Sequence, residues 1–231
     1  MRMTIFRNVA LALSGAPILR DISFDMRPGE WTFLVGPPGA GKTMLLRLAA
    51  GDIAPTSGHV ERAGAAIFAH HSMPLDDTKF SRDIVAEAMT GLDATKRAED
   101  LLSDFGLETY LGHEPFRLSR GHRARLAIAV GIAARPTLLC LDDPFSPMDR
   151  RAKMLSANAL ARAADENGLT VLMASNDPHD ALRYADNILL MSPGPAATIV
   201  ETIPHAPTPE ADDEQLAAMD LTARLWRTLD G

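Results

Sequence analysis

The stretch Gly36-Pro37-Pro38-Gly39-Ala40-Gly41-Lys42-Thr43 constrains the fold more than any other part of this chain. It fits G-x-x-x-x-G-K-[ST] and follows directly on the apolar run Trp31-Thr32-Phe33-Leu34-Val35. Thr43 to Ala50 then has helical composition, with Gly51 placed to stop it. This predicts a strand, a glycine-rich loop and a helix in succession, the arrangement in which backbone N–H groups converge on phosphate oxygens. The helix beginning near Lys42 adds the positive end of its dipole at the same place. Lys42 is expected to reach the β- and γ-phosphates of a nucleoside triphosphate, and the Thr43 hydroxyl to ligate Mg²⁺. A plain glycine-rich turn with an exposed lysine is the structural alternative, and it gives no reason for a strand and a helix to flank it.

The remainder of the composition narrows the class. With 231 residues, 46% of them hydrophobic, the chain has enough apolar material for a large core and is not disordered as a whole. A single cysteine, Cys140, rules out a disulfide framework or a multi-cysteine zinc site. The net charge of −7 argues against broad nucleic-acid binding. Met1 to Asn8 lacks the apolar stretch of a signal peptide, and the best apolar run, Leu126 to Leu141, is broken by Arg135-Pro136. The expectation is a soluble cytoplasmic chain whose membrane role, if any, runs through a partner.

Short strands are predicted over residues 3–35, and a second β-rich piece near Gly58 to Phe68. Residues 78–134 read as a mostly helical insert punctuated by Gly91, Gly106 and Gly112. Strand and helix then alternate. Strands are expected at Thr137 to Leu141, Leu169 to Ala174 and, as the last one, Asn187 to Met191, with helices at Arg150 to Glu166 and Asp177 to Tyr184. Such alternation implies a mainly parallel sheet covered on both faces. Beyond residue 205 a proline-rich stretch leads into an acidic segment, so 206–231 is expected to be a linker followed by a helix. Its stripe of Leu216, Leu221, Leu225, Trp226 and Leu229 is expected to dock on its own domain rather than on a partner.

Leu138-Leu139-Cys140-Leu141-Asp142 is an apolar strand ending in a carboxylate. At the C-terminal edge of a neighbouring parallel strand, Asp142 would lie close to the phosphate loop and hold Mg²⁺ through water. Asp143 points another way and is the candidate to orient a water toward the γ-phosphate.

Three further stretches carry a resemblance. Leu118-Ser119-Arg120-Gly121-His122-Arg123-Ala124-Arg125-Leu126-Ala127-Ile128-Ala129 resembles the LSGGQ-x-x-R-x-x-x-A signature of ABC-transporter ATPase subunits. Asp143-Pro144-Phe145-Ser146-Pro147-Met148-Asp149 resembles the D-E-P-F-x-x-L-D stretch of that family, and Ser175-Asn176-Asp177 stands where T-H-D carries its switch histidine. The motifs occur in the family's order over residues 3–205. The resemblance implies an α/β P-loop NTPase cassette over 1–205, with a mainly parallel sheet, an N-terminal antiparallel β subdomain and the signature on the helical insert. It also implies ATP with Mg²⁺ held between two subunits meeting head to tail. One subunit's phosphate loop would then face Ser119, Arg120, Gly121 and His122 of the other, in a homodimer or a heterodimer. The basic cluster Arg117, Arg120, His122, Arg123 and Arg125 is not read as a nucleic-acid surface, because the rest of the chain is acidic.

The departures from the family pattern fall on catalytic positions. Asp143 replaces the general-base glutamate, one methylene shorter. Asn176 replaces the switch histidine and cannot carry a positive charge. His70, with His71 as the other register, stands at the Q-loop glutamine, a Mg²⁺ and water contact, although Mg²⁺ prefers oxygen to imidazole. The adenine-stacking aromatic expected near Leu13 is missing. These changes predict ATP binding with slow hydrolysis. Phe145 after Asp143-Pro144 resembles the importer branch more than exporters. Leu190 to Val200, with Ser192-Pro193-Gly194-Pro195, resembles the S-x-x-P-G-x-I segment of nitrate, sulfonate and taurine importers, an ordinary proline-rich loop before an edge strand being the alternative. The resemblance implies a membrane permease and an extracytoplasmic solute-binding protein as partners. The alternatives are an exporter subunit, or a hydrolysis-impaired regulatory subunit paired with an active ATPase.

Overall fold

The computed structural model describes residues 4–230. Met1 to Met3, part of the N-terminal stretch read above, lie outside the described residues, as do the side chains of Trp226 and Leu229. Strands β1 (Thr4–Leu13) and β2 (Ala16–Met26) form an antiparallel hairpin, and β4 (Ser57–Arg62) pairs with the other side of β1. The expectation of short strands in this region is corrected: these two run for 10 and 11 residues. Asn8 and Asp21 adopt positive φ and hydrogen-bond each other at 2.9 Å, where the register shifts, so the period-2 pattern is interrupted although the strands continue.

The second sheet has the order β5-β6-β7-β3-β8-β9, comprising β5 (Ala66–His70), β6 (Leu138–Asp142), β7 (Thr170–Ser175), β3 (Trp31–Val35), β8 (Asn187–Met191) and β9 (Ile199–Pro204). The first five are mutually parallel. The segment Gly58 to Phe68 therefore divides between the two sheets. The expectation that Asn187 to Met191 is the last strand is also corrected, since β9 follows it antiparallel. As an edge strand β9 is only half-buried on alternate residues and lies among prolines, a weak pattern for a strand.

Helices α1 (Lys42–Ala50), α2 (Ser81–Ala88), α3 (Ala94–Asp104), α4 (Arg120–Ala133), α5 (Arg150–Asn167) and α6 (Pro178–Tyr184) cover this sheet. Alternate strand residues serve two cores. Phe33, Val35, Leu139, Leu141, Val171 and Met173 pack with the helical insert, α5 and α6, whereas Leu34, Leu138, Cys140, Leu172 and Ala174 pack with α1 and the antiparallel hairpin. The sheet is thus buried on both faces, which explains its unbroken apolar strands. Asp212 and Gln215 form a capping box that starts α7 (Asp213–Ala217), and α8 (Asp220–Asp230) follows. Leu216 and Leu225 are fully buried in the first core, so the tail docks on its own chain. No described helix is long and apolar enough to cross a membrane.

Candidate nucleotide site

Strand β3 ends at Val35 and the glycine-rich loop turns directly into α1. Gly41 sits at the N-cap with φ of +78°, a left-handed conformation open to glycine at little cost, and a methyl group there would fall 2.8 Å from Leu19 Cδ2. Its carbonyl accepts from Leu45 N–H at 2.9 Å, starting the helix with its free N–H groups facing the loop. Lys42 folds back over the loop, donating from Nζ to the carbonyls of Gly36 at 2.5 Å and Pro37 at 3.1 Å. Burial pulls its ammonium below the usual lysine pKa, with Asp143 and Asp142 partly opposing. An ammonium so placed gains strongly from a polyanion in the loop.

The phosphate cavity, about 410 Å³, is lined by residues 38–44 with Ile18, Asp142 and Asn176. Asp142 Oδ2 accepts from Thr43 Oγ1 at 2.7 Å. His70 lies in register beside Asp142 on the adjacent strand, so His70 rather than His71 reaches this position. Thr43, Asp142 and His70 share a smaller cavity of about 290 Å³ with Arg47, Asp52 and Phe68. Burial keeps the His70 imidazole below its ordinary pKa, with Asp142 partly opposing. Thr43 and Asp142 are adjacent hard oxygen donors, and no cluster of three or more His, Cys, Asp or Glu forms a metal site among the described residues. That donor set fits Mg²⁺, which keeps waters and takes phosphate oxygens to complete its shell.

Asp143 leaves the strand with φ of +45°, its N–H bonded to Ala174 O at 3.0 Å. Its Oδ2 accepts from Asn176 Nδ2 at 3.1 Å, so the candidate base and the switch residue are in direct contact. Behind Asn176 lies a network that sequence reasoning missed. Lys153 of α5 donates to buried Asp180 at 2.8 Å and lies 3.5 Å from Asp177, and Ser175 Oγ reaches Asp180 at 3.3 Å. Burial pushes the Asp180 carboxyl above its ordinary pKa, while Lys153 and Ser175 hold it back. Nothing in the sequence separates these two charges from those of a solvated helix face; their pairing is made by the packing of α5 and α6.

The signature residues are elsewhere. Ser119 caps α4, accepting from His122 N–H at 3.2 Å, and the His122 ring packs on Tyr110 with centroids 4.1 Å apart. Arg120 is exposed, and none of Ser119, Arg120, Gly121 or His122 lines the phosphate cavity. The basic cluster disperses: Arg125 is buried and donates to Phe105 O at 2.6 Å, Arg123 faces Asp77 and Arg117 faces Glu114. Leu13, at the end of β1, is 46% exposed, and no aromatic residue lines the phosphate cavity. A larger cavity, about 580 Å³, opens at the opposite ends of β3 and β8. Its carboxylates Glu30 and Asp186 already accept from Asn187 and from Trp31 N–H, and it contains none of the motif residues.

Residues 19–146 match the protein family described as ABC transporter. A sulfate/thiosulfate import ATP-binding protein of Rhizobium meliloti is 32% identical over 208 residues, 81% of this chain and 57% of that protein. An aliphatic sulfonates import ATP-binding protein of Rhodococcus jostii is 34% identical over 205 residues, 87% of this chain and 83% of that one. The chain thus spans little more than half the length of the first of these relatives. Among solved structures, an ATP-binding subunit of an ABC transporter superposes with a TM-score of 0.80 at 20% identity, covering 99% of this chain and 100% of that one. A dimeric, post-hydrolysis ATP-binding cassette bound to ADP and Pi gives a TM-score of 0.78 at 22% identity, covering 88% and 99%. At those identities the superpositions establish the fold.

Proposed function

The chain belongs to the ABC transporter family, and from that premise we propose that it is the ATP-binding subunit of a small-solute importer, acting on a separate membrane permease that receives its solute from a binding protein. The reading rests above all on one contact, the Thr43 hydroxyl 2.7 Å from the Asp142 carboxylate at the mouth of the loop that carries Lys42. The cassette is residues 1–205, with its helical insert over 78–134, and 206–231 is an appended linker that leads into α7 and α8 rather than into one helix. The protein works at the inner face of the membrane.

In this reading the amides of Gly39 to Thr43 bind the phosphates, and Lys42 exchanges its two carbonyl partners for phosphate oxygens. Thr43 and Asp142 would hold Mg²⁺, which would supply charge neutralisation at the phosphates, with His70 beside them. Ser119, Arg120, Gly121 and His122 present the N-terminus of α4 to the nucleotide of a second copy or of a relative. Hydrolysis is slow, because Asp143 is short and its carboxylate is occupied by the Asn176 amide, which cannot become a cation. An exporter subunit is the less favoured reading. Its discriminator is the partner: co-purification with a permease and a solute-binding protein supports import.

The test is calorimetric titration of MgATP. The native chain binds, and Lys42→Ala weakens binding by about 100-fold, as expected on losing a charge-assisted contact to a polyanion. Equal affinity in the two proteins overturns the nucleotide reading.

A further inference from the structure

The segment Ser192 to Thr198 joins β8 to β9, and its contacts point away from that hairpin. Ala196 N–H donates to Pro17 O at 3.2 Å, Ala197 N–H to Ile18 O at 3.0 Å, and Arg20 N–H to Ala197 O at 2.9 Å. The loop is therefore stitched to β2 of the other sheet at Ile18, a residue that itself lines the phosphate cavity. It closes on itself as well: Ser192 N–H donates to Thr198 O at 2.9 Å, and Ser192 Oγ accepts from Thr198 N–H at 3.1 Å. Held at both ends, it presses its middle against the phosphate loop. A Cβ at Gly194 would lie 2.7 Å from the Gly39 carbonyl oxygen, a backbone atom of that loop.

We propose that this loop is a strut that sets the phosphate-binding conformation, with Gly194 as a positioning residue. The argument is one of peptide geometry. Carbonyl and N–H of a trans peptide point in opposite directions in one plane. Fixing the Gly39 carbonyl against Gly194 thus fixes the direction of the Ala40 N–H, which donates to Pro37 O at 3.2 Å. A side chain at 194 has to displace either the pinned strut or the Gly39 carbonyl, and displacing the carbonyl rotates an amide of the cradle. The same loop holds Ile18 across the cavity, so one segment sets two of its walls. Nucleotide affinity then depends on a loop outside the glycine-rich motif.

This inference rests on the nucleotide reading, and the experiment separates the two. MgATP and MgADP are titrated into the full chain and into Gly194→Ala, with Gly112→Ala, where an added Cβ meets nothing within 4 Å, as the control. Gly194→Ala is expected to lose about 10- to 100-fold in affinity for both nucleotides, the cost of a misdirected phosphate contact. Its nucleotide-free melting temperature should stay close to that of the native chain, its Ala40 amide resonance should shift, and Gly112→Ala should bind normally. If Gly194→Ala does not fold, Ser192→Ala removes the brace without adding bulk and should lose about 2- to 10-fold. Native affinity in a folded Gly194→Ala, or in Ser192→Ala, overturns the strut. Failure of the native chain to bind either nucleotide overturns the nucleotide reading instead.

Discussion

Asp143 leaves β6 with φ of +45°, and Asn176 reaches it across 3.1 Å, so the geometry of the candidate base is set by a strained backbone and a neutral amide together. Lengthening the carboxylate alone leaves that amide in place. Replacing the amide alone leaves the carboxylate short. The double substitution Asp143→Glu with Asn176→His is therefore expected to raise the single-turnover rate by about 10- to 100-fold, more than the product of the two single effects, because a general base and its orienter act as a unit. Simple multiplicativity in rapid-quench measurements removes that coupling. His70 makes a prediction in pH. Burial lowers its folded pKa below the ordinary 6.5, so between the folded value and 6.5 the unfolded chain binds more protons. Stability consequently rises with pH through that window, and the penalty is gone above 6.5. His122 is lowered as well, by burial first and then by Arg125, so the slope is shared. In urea titrations at about pH 5 and pH 7.5, His70→Gln should gain less on alkalinisation than the native chain. An equal gain excludes a lowered pKa for the imidazole at this position.

Helix α8 shows how an element far from the site is tied to the same core. Leu225 is fully buried beside Leu216, with Thr222 donating its hydroxyl to Leu216 O. Leu225→Ala is expected to cost about 2–5 kcal/mol in urea unfolding, the range for emptying a packed leucine site. A loss below about 1 kcal/mol would mean that the helix is not docked. This docking was readable from the apolar spacing of the tail, as the phosphate loop was from an unbroken apolar strand meeting a glycine-rich octet, and as Asp142 was from its place at the end of another. Elsewhere the pattern was silent for physical reasons. Asn8 and Asp21 shift the register of β1 and β2, so alternation fails where the strands do not. Strand β9 is an edge strand with no fully buried residue, and it follows a proline-rich loop. Lys153 and Asp180 become a pair only when α5 and α6 pack, and the contact of Gly194 with Gly39 joins segments about 150 residues apart in the chain. Local periodicity carries no record of such contacts.

On the scale of the whole molecule, the residues assigned to the nucleotide divide into two groups that share no cavity. Gly39 to Thr43, Asp142 and Asn176 form one, and the capped start of α4 at Ser119 forms the other. In the proposed reading a single chain offers half of each site, and two chains facing each other complete both. Nucleotide shifts such an equilibrium only through its differential affinity for the closed pair, and moving it from 1:99 to 99:1 takes a preference of about 10⁴-fold. On that reading the γ-phosphate of ATP would touch both chains and supply that preference, whereas ADP would touch only the loop. MgATP, and not MgADP, is thus expected to double the mass seen by light scattering, with Ser119→Ala weakening the effect by removing both the cap and the hydroxyl offered across the interface. The slow hydrolysis proposed for this chain adds a signature in time. The native chain should hold its dimer for many minutes after MgATP is added, and Asp143→Glu with Asn176→His should return to monomer sooner, at its own turnover rate. Equal dimer formation with MgADP would detach dimerisation from the γ-phosphate, and equal lifetimes in the two proteins would show that hydrolysis does not open the pair.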